Sequence, residues 1–389
     1  MSIERILCAQ QKLAACGLAG AIVFHSRDVL YYAGTAQPAW LILLPEDYRL
    51  FVRSGIDFSL RETWLPKEKI IPERSLSSAV RQMFSGEGNG EKIGTELDLL
   101  SVLQAREFHA ALGRRRLVDF TPEILDQRKV KSLEEIESAK KACTVAHAGH
   151  LAALETLAPG VTELEMAAAV ENAQRRAGHE GIFFMRQTDF VMGRGPLASG
   201  PNLREISGVV FSITGTGLSP AVPAGASGRM IQEGDLVLID IPPCVNGYHA
   251  DQTRMYCLGK PPDKVMTLYE GLLSVADHLI RNMRPGQTCH QVFAMAAEKA
   301  VQAGLEESFL RFPSGIKSHF VGHGLGLELN ESPLLGKGRE EVLQPGMVLA
   351  LEMHLMEPEG ITLKLEDTGV LREDGYHLLT ISPRDLSIV

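Results

Sequence analysis

The chain lacks the features that mark membrane, disulfide-bonded and nucleic-acid-binding proteins. It has no apolar run of about 18 residues, and Glu4 and Arg5 precede a broken apolar pattern, so we expect neither a membrane span nor a signal peptide. Its six cysteines form no Cys-x-x-Cys pair, which argues against structural zinc and favours reduced thiols in the cytoplasm. With a net charge of -9 and no basic run, neither nucleic acid nor an anionic membrane is an expected partner.

The composition is that of a globular protein, and the length indicates two domains. Apolar residues make up 45% and charged residues 22% of 389 positions, whereas a single domain usually has about 100 to 200 residues. Helix-like stretches alternate with short apolar runs at residues 21–24 and 40–44. We therefore predict an α/β domain over residues 1–125 and a second domain over residues 126–389. The first long helix of the second domain is predicted to begin at a capping box, Ser132 with Glu135.

The second predicted domain contains an internal repeat. LAPGVTELEMAAAVENAQRRAG (residues 157–178) matches MRPGQTCHQVFAMAAEKAVQAG (residues 283–304), and IQEGDLVLID (residues 231–240) matches LQPGMVLALE (residues 343–352). The first pair predicts two equivalent helices, each with a capping box after Pro-Gly. The second pair predicts two apolar strands that each end at a carboxylate. The domain is thus predicted to be two copies of a helix-plus-hairpin unit.

The repeat also predicts a cluster of four carboxylates, which are Asp240, Asp251, Glu352 and Glu366. If the two copies pack about a pseudo-twofold axis, equivalent strand ends meet at the centre of the domain. Four acids in a partly buried cleft would repel one another and become protonated unless divalent cations neutralise them. The alternative, acids on solvated strand edges, does not explain why they match in the repeat or follow apolar strands.

A histidine-containing segment completes the pattern and carries a family resemblance. SHFVGHGLGLELNESP supplies His319 and His323 as nitrogen donors. In the order Asp, Asp, His, Glu, Glu, the chain resembles the pita-bread metallopeptidases, which include prolidase, aminopeptidase P and methionine aminopeptidase. The spacings of eleven residues between the aspartates and fourteen between the glutamates are similar to those of the prolidase branch.

The resemblance covers essentially the whole chain, because the N-terminal part and the linker KSLEEIESAKKA also resemble the creatinase/prolidase arrangement. It implies an α+β fold. The C-terminal domain would be a pita-bread (creatinase/methionine aminopeptidase-like) domain with an internal pseudo-twofold. A smaller α/β domain of the creatinase type would precede it.

The resemblance further implies a site for two divalent metal ions. Asp240 would be a terminal ligand of one ion, Asp251 and Glu366 would bridge, and His323 with Glu352 would bind the other ion. A metal-bridging hydroxide would then attack the substrate, with Glu352 transferring the proton. Carboxylate-rich ligation favours Mn²⁺, with Co²⁺ or Zn²⁺ as alternatives.

Three other histidines lie beside the predicted ligands. His319, one helical turn or a short loop before His323, would contact the substrate and stabilise the oxyanion. His249 and His354 are left out of the ligand set, because we expect strand alternation to turn them to the opposite face.

Two histidines that the relatives usually carry are missing. Pro223 stands near the place of one, upstream of the first aspartate strand, and Asn330 stands in place of the other, seven residues after His323. Asparagine can hydrogen-bond a carbonyl or carboxylate but cannot exchange protons near pH 7. We therefore predict Asn330, with His319, as a substrate-binding residue.

Three functions are compatible with this sequence. The first is a metallo-exopeptidase, an Xaa-Pro dipeptidase or aminopeptidase that cleaves the peptide bond before proline, expected from the resemblance to be a homodimer. The second is a creatinase-like C–N hydrolase or a lyase that uses the same metal site on a small non-peptide substrate. The third is a metal-free binding or scaffold protein, against which the presence of all five ligands argues.

Overall fold

The computed structural model describes residues 3–187, 194–207, 212–358 and 360–389. Residue contacts divide the chain into two compact units, Met1–Arg128 and Lys129–Val389. This division and the predicted boundary after residue 125 both fall within one helix, Thr121–Lys129, so the predicted domain bounds stay a prediction. No helix in the described ranges combines the length and the apolar character needed to cross a membrane.

The first unit is a mixed sheet with helices. Its helices are α1 Glu4–Ala15, α2 Ser26–Ala33, α3 Ile56–Glu62, α4 Leu76–Met83, α5 Val102–Leu112 and α6 Thr121–Lys129, with a 3₁₀ turn at Lys67–Lys69. Its strands are β1 Gly20–Val23, β2 Ala39–Leu43, β3 Tyr48–Val52, β4 Ile70–Pro72, β5 Lys92–Thr95 and β6 Arg116–Asp119, in the order β4-β3-β2-β1-β5-β6. Every residue of β1 and β2 is buried, as expected for strands covered on both faces. The two apolar runs chosen from the sequence are strands to within one residue.

The second unit contains two larger sheets and four long helices among its described residues. The helices are α7 Leu133–Thr156, α8 Glu163–Arg176, α9 Asp263–Asn282 and α10 Cys289–Gln302, with a 3₁₀ turn at Gly200–Arg204. The strands are β7 Leu197–Ser199, β8 Leu236–Ile239, β9 Cys244–Val245, β10 Tyr248–His249, β11 Arg254–Cys257, β12 Phe320–Gly324, β13 Glu331–Gly336, β14 Val348–Met356, β15 Thr362–Arg372, β16 Gly375–Leu378 and β17 Ser387–Ile388. The sheets have the orders β17-β11-β8-β7 and β13-β12-β14-β15-β16, and β9 pairs with β10.

The two copies of the repeat fold as equivalent helices. Thr162 caps the N-terminus of α8 and Thr288 that of α10. In each helix the threonine side chain and the third helical residue, Glu165 or Gln291, make both bonds of a capping box. The capping box predicted at Ser132 also forms, at the start of α7. The sequence prediction of paired helices is confirmed.

The paired strands agree with the sequence prediction in only one copy. Strand β8 stops directly before Asp240, but β14 continues for four residues beyond Glu352, so the prediction that the second strand ends at its carboxylate is wrong. The physical reason is that β14 pairs with β15 without a break from Val348 to Met356. The residues after Glu352 are also buried, which favours continuation of the strand.

A buried ion pair joins the two sheets of this unit. Arg254 of β11 donates to Asp367 of β15 at 2.6 Å, and both side chains are almost fully buried. Arg254 also donates to the backbone carbonyl of Glu366 at 2.7 Å. Because these bonds fix β11 against β15, they set the strand that follows Asp251 beside the strand that carries Glu366.

Candidate metal centre

The structure brings all five predicted metal ligands together. Asp240 follows β8 and Asp251 lies between β10 and β11. Glu352 and Glu366 face each other in register across β14 and β15, and His323 lies in β12, which pairs with β14. The side chains are 1 to 13% exposed, so the donor atoms form a buried polar cluster.

His323 is oriented as a metal ligand. Its Nδ1 lies 2.9 Å from the carbonyl oxygen of Gly324, which can only accept a hydrogen bond, so the lone pair is on Nε2. That Nε2 lies 3.7 Å from Asp251 Oδ2, 3.7 Å from Glu352 Oε1 and 4.0 Å from Glu366 Oε1. Donor atoms around an ion with bonds of about 2.1 Å are roughly 3 to 3.5 Å apart, so a small contraction would close this shell.

One carboxylate oxygen in the cluster has no hydrogen-bond partner among the residues that the structure describes. Glu366 Oε1 is buried, and an unpaired buried acceptor is unfavourable. This oxygen lies 4.0 Å from His323 Nε2, and Glu366, Asp251 and His323 each offer one ligand atom to a group whose atoms are all within 4.8 Å of one another. A divalent cation would satisfy this oxygen, so the donor set fits a metal ion.

Two threonines hold the two residues predicted to bridge the metal ions, and each threonine comes from the opposite copy of the repeat. Thr253 Oγ1 donates to Glu366 Oε2 at 2.8 Å. Thr368 Oγ1 accepts from the backbone N–H of Asp251 at 2.9 Å and donates to its carbonyl at 2.7 Å. Each threonine stands two residues after one of the predicted bridging residues, Asp251 or Glu366. The sequence analysis missed both, although this spacing recurs in the two copies.

The sequence analysis also missed Lys364, whose ammonium lies inside the cluster. Its side chain is 3% exposed, and Nζ lies 2.7 Å from Asp240 Oδ2, 3.1 Å from Glu352 Oε2 and 3.0 Å from Glu366 Oε2. Ser212 Oγ is a further partner at 3.0 Å. Lys364 stands two residues before Glu366 on the same strand face, and this spacing was the available signal.

The pKa directions show that the cluster is short of positive charge. Burial and neighbouring carboxylates raise the pKa of Asp251 well above its usual value and that of Glu366 to about 8. Burial would also raise the pKa of Glu352, but Lys364 and His323 outweigh it and lower that pKa. For Lys364, burial opposes the charge, yet the carboxylates dominate and raise its pKa. One ammonium does not balance four carboxylates, whereas divalent cations would.

The residues predicted to contact substrate lie outside the cluster. His319 is exposed and directly precedes β12. Its ring packs edge-on against the ring of Phe320, with the two ring centroids 6.1 Å apart. The segment leading to His323 is an extended strand instead of a helical turn or short loop, so four residues span about 13 Å. Asn330 is exposed directly before β13, and Pro223 is half-buried. The substrate roles of His319 and Asn330 stay predictions.

The reason given for leaving His354 out of the ligand set was wrong, because His354 and Glu352 are two residues apart on β14 and therefore lie on the same face. For His249 that reason stays a prediction, since Asp251 lies outside β10. Their rings have other partners. His249 Nδ1 lies 2.8 Å from the carbonyl oxygen of Gly326 and its Nε2 accepts from the N–H of Phe184 at 3.0 Å. His354 Nε2 lies 3.1 Å from the carbonyl oxygen of Arg311.

Comparison with known proteins shows which family this chain resembles in sequence and in fold. Residues 137–373 match metallopeptidase family M24, and residues 5–130 match the creatinase/prolidase N-terminal domain. The Xaa-Pro dipeptidase of Pyrococcus furiosus is 30% identical over 363 residues, which are 92% of each chain. Among solved structures, the Xaa-Pro dipeptidase from Bacillus anthracis has a TM-score of 0.82 at 22% identity, over 100% of this chain and 99% of that one. The prolidase from Pyrococcus furiosus has a TM-score of 0.78 at 26% identity, over 96% and 100%.

These matches confirm the predicted fold, which is a pita-bread domain with an internal pseudo-twofold preceded by a creatinase-type N-terminal domain. They also confirm that the chain is a hydrolase of the metallopeptidase type, so the metal-free scaffold reading is set aside. Because the M24 pattern spans more than half of its residues, the chain belongs to metallopeptidase family M24, whose members use divalent metal ions.

Proposed function

We propose that this metallopeptidase is an Xaa-Pro dipeptidase or aminopeptidase that uses two divalent ions held by Asp240, Asp251, His323, Glu352 and Glu366. The observation that supports it most is the buried cluster of these five side chains, in which Glu366 Oε1 has no hydrogen-bond partner among the described residues. The substrate class is supported by the Pyrococcus furiosus relative, which is named an Xaa-Pro dipeptidase and matches over 92% of each chain.

Bound divalent ions would supply an activated water and would polarise the scissile carbonyl. Glu352 is the residue we propose to accept the proton of that water. Its side chain is 13% exposed compared with 1% for Glu366, and Lys364 with His323 lowers its pKa against the effect of burial, so it is ionised at neutral pH.

His319 and Asn330 are the side chains we propose to bind substrate beyond the metal ions. Both are exposed, and each flanks a strand of the sheet that carries His323. The Asn330 amide would donate to a substrate carbonyl or carboxylate, and His319 would stabilise the oxyanion. We also propose Mn²⁺ in preference to Co²⁺ or Zn²⁺, because carboxylate oxygens outnumber nitrogen in the donor set. A homodimer in the cytoplasm stays a prediction.

A second function deserves a test because of Pro223 and Asn330. Neither residue can exchange a proton near pH 7, although related peptidases usually carry histidines in their places. The same metal site would then act on a small non-peptide substrate, as a C–N hydrolase or a lyase.

A substrate panel separates the two functions. Purified protein supplied with Mn²⁺ is assayed by liquid chromatography and mass spectrometry on Xaa-Pro dipeptides, longer Xaa-Pro peptides, matched Xaa-Ala peptides and creatine. We expect cleavage before proline and little cleavage before alanine. Glu366→Gln protein is the matched inactive control. Turnover of creatine with no peptide cleavage would establish the second function and reject the first.

A further inference from the structure

A segment between α8 and β7, residues 179–187, is bonded to two other parts of the second unit, and we call it the strap. Its first part is bonded to the hairpin of β9 and β10. His179 Nδ1 accepts a hydrogen bond from the N–H of Cys244 at 2.9 Å, and the N–H of Glu180 donates to the carbonyl of Cys244 at 2.9 Å. Its second part is bonded at Phe184, so the strap is held at two separate points.

Both backbone groups of Phe184 have partners. The N–H donates to His249 Nε2 at 3.0 Å, and the carbonyl accepts from the N–H of Leu329 at 2.8 Å. The His249 side chain is fully buried, and its Nδ1 lies 2.8 Å from the carbonyl oxygen of Gly326. Because a carbonyl only accepts, the ring proton is on Nδ1 and the lone pair on Nε2 faces the Phe184 N–H. One imidazole therefore joins the strap to the chain that follows β12.

The part of the chain that receives the strap, residues 326–331, is itself held by buried polar contacts. The N–H of Glu328 donates to Glu331 Oε1 at 3.1 Å. The other oxygen of Glu331 lies 3.1 Å from the ammonium of Lys131, and both side chains of this ion pair are buried. The backbone N–H of His249 adds a bond of 2.9 Å to the carbonyl of Gly326. Residues 326–331 thus form a fixed support for the strap.

This support lies beside the candidate metal centre. His249 stands two residues before Asp251, and Gly326 stands three residues after His323. The last part of the support carries Asn330, which we propose to bind substrate. The strap is therefore fixed to the same short piece of chain as a proposed substrate contact.

A second side chain of the strap reaches the same support. Arg186 is largely buried and lies 3.7 Å from the carboxylate of Glu328. Leu329, which donates to Phe184, directly precedes Asn330. The strap and the support therefore meet along several consecutive residues that lead up to Asn330.

We propose that His249 is a positioning residue for substrate binding. By accepting the N–H of Phe184, it keeps the strap against residues 326–331, so that the strap is a fixed wall beside Asn330. Both ring nitrogens of His249 are occupied by backbone groups, so the residue acts through the strap. A loose wall must be ordered when substrate binds, which weakens binding and leaves the chemical step at the metal ions nearly unchanged. This inference rests on the proposed function, because the wall belongs to its substrate site.

Two amide substitutions separate the roles of the two ring nitrogens. In His249→Gln the amide reaches the position of Nε2, and its oxygen can accept from the N–H of Phe184. In His249→Asn the amide reaches only the position of Nδ1, so the bond to Gly326 can be kept while the bond to Phe184 is lost. Both variants replace a buried imidazole by an amide, so a loss of stability that they share does not bear on the strap.

Hydrogen–deuterium exchange of the full-length protein, read by mass spectrometry, tests the position of the strap without substrate. We expect peptides that contain Phe184 and Leu329 to exchange about three- to tenfold faster in His249→Asn than in the wild type, and at nearly the wild-type rate in His249→Gln. His290→Ala is the control, because His290 of α10 also accepts a backbone N–H, from Gly338 at 3.1 Å. Wild-type exchange of the strap in folded His249→Asn protein would overturn the proposal.

Steady-state kinetics at matched metal content then test the link to substrate. On the best substrate of the panel, we expect KM to rise about three- to tenfold in His249→Asn with kcat within about twofold, and KM to be nearly restored in His249→Gln. Faster exchange with an unchanged KM would show that the strap is no part of the substrate site and would also overturn the proposal. If wild-type protein cleaves no proline peptide, the proposed substrate alone is rejected, and KM is measured on the substrate that the panel identifies.

Discussion

The two copies of the repeat in the second unit hold their carboxylates differently. In the first copy the strand is four residues long, and Asp240 and Asp251 both lie outside strands. In the second copy β14 and β15 are nine and eleven residues long, and Glu352 and Glu366 face each other within them. The aspartates, which have the shorter side chains, are supplied by loops, and the glutamates, which have the longer side chains, are supplied by strands. Two symmetric copies thus bring side chains of different length to the same site.

The copies differ again in the basic residue that stands two positions before each predicted bridging carboxylate. In the second copy it is Lys364, which contacts three carboxylates. In the first copy it is His249, whose ring nitrogens contact the backbone of Gly326 and Phe184. Equivalent positions therefore have different roles. The fold of the two copies is symmetric, but the distribution of charge at the site is not.

The largest expected effect comes from removing the predicted bridging carboxylate of either copy. Asp251→Asn and Glu366→Gln keep the side-chain shape but remove the charge that would hold the ions. Loss of residues that only support metal ligands already lowers metal affinity by about 10 to 100-fold. We therefore expect each variant to lose at least about 100-fold in metal affinity and in kcat/KM, measured by dialysis with metal analysis and by cleavage of an Xaa-Pro dipeptide.

The two variants also test the symmetry directly. If both carboxylates bridge, the two losses should be similar, and both should be visible in metal content without substrate. Near wild-type metal content in either variant would show that its copy does not contribute a bridge.

A smaller but still large loss of stability is expected from a change at Glu163, the first residue of α8. The equivalent first residue of α10 is Cys289. The Glu163 carboxylate is fully buried at the start of α8 and accepts bonds from Ser199, Asn202 and Ser227, with distances of 2.6 to 3.1 Å. We expect Glu163→Ala to lower the free energy of unfolding by about 3 to 5 kcal/mol, because several buried donors lose their acceptor.

Cys289 is the matched control for that change. It is buried at the start of α10, where its backbone N–H donates to the carbonyl of Glu341. Cys289→Ala removes one sulfur atom from a packed core, so we expect a loss of about 1 kcal/mol. Denaturant unfolding of both variants measures the difference, and equal losses would contradict the role assigned to the Glu163 network.

Much of this arrangement could be predicted from the sequence because repetition and spacing are local signals. The capping boxes at Thr162 and Thr288 and the order of the five predicted ligands are read directly from the chain. For Lys364 the spacing of two residues from Glu366 was a local signal, but its contact with Asp240 could not be predicted, because Asp240 is 124 residues away. Glu163 was missed for the same reason, because its partners lie 36 to 64 residues away.

The helix caps give a smaller, symmetric prediction. Thr162 and Thr288 each accept a hydrogen bond from the backbone N–H of the third helical residue, at 3.1 and 3.2 Å. Replacing either by alanine removes one such bond, and we expect each change to lower the free energy of unfolding by about 1 kcal/mol. Chemical denaturation measures both. A difference of more than about 1 kcal/mol between them would show that the capping boxes are not equivalent.

The smallest expected effect concerns pH and contrasts a polar pair in the first copy with apolar residues in the second. His150 of α7 lies 2.8 Å from the hydroxyl of Tyr256, whereas the repeat places Ala276 and Leu371 at the equivalent positions, both in the hydrophobic core. Burial, followed by the charges of Arg254 and of a neighbouring histidine, lowers the pKa of His150 from 6.5 to about 4.

At this pair of equivalent positions, acid sensitivity is therefore expected only in the first copy, although burial also lowers the pKa of His354 in the second copy to about 4. Because the unfolded chain binds a proton at His150 near pH 6.5 and the folded chain only near pH 4, stability from this residue is present above pH 6.5 and is lost as pH falls toward 4. His150→Gln keeps a polar side chain beside Tyr256 but cannot titrate. Its free energy of unfolding, measured at equal metal content, should decline less than that of the wild type between pH 6.5 and 4. Measurements at pH 8 separate any loss of packing, and parallel pH profiles would exclude His150 as the source of the acid sensitivity.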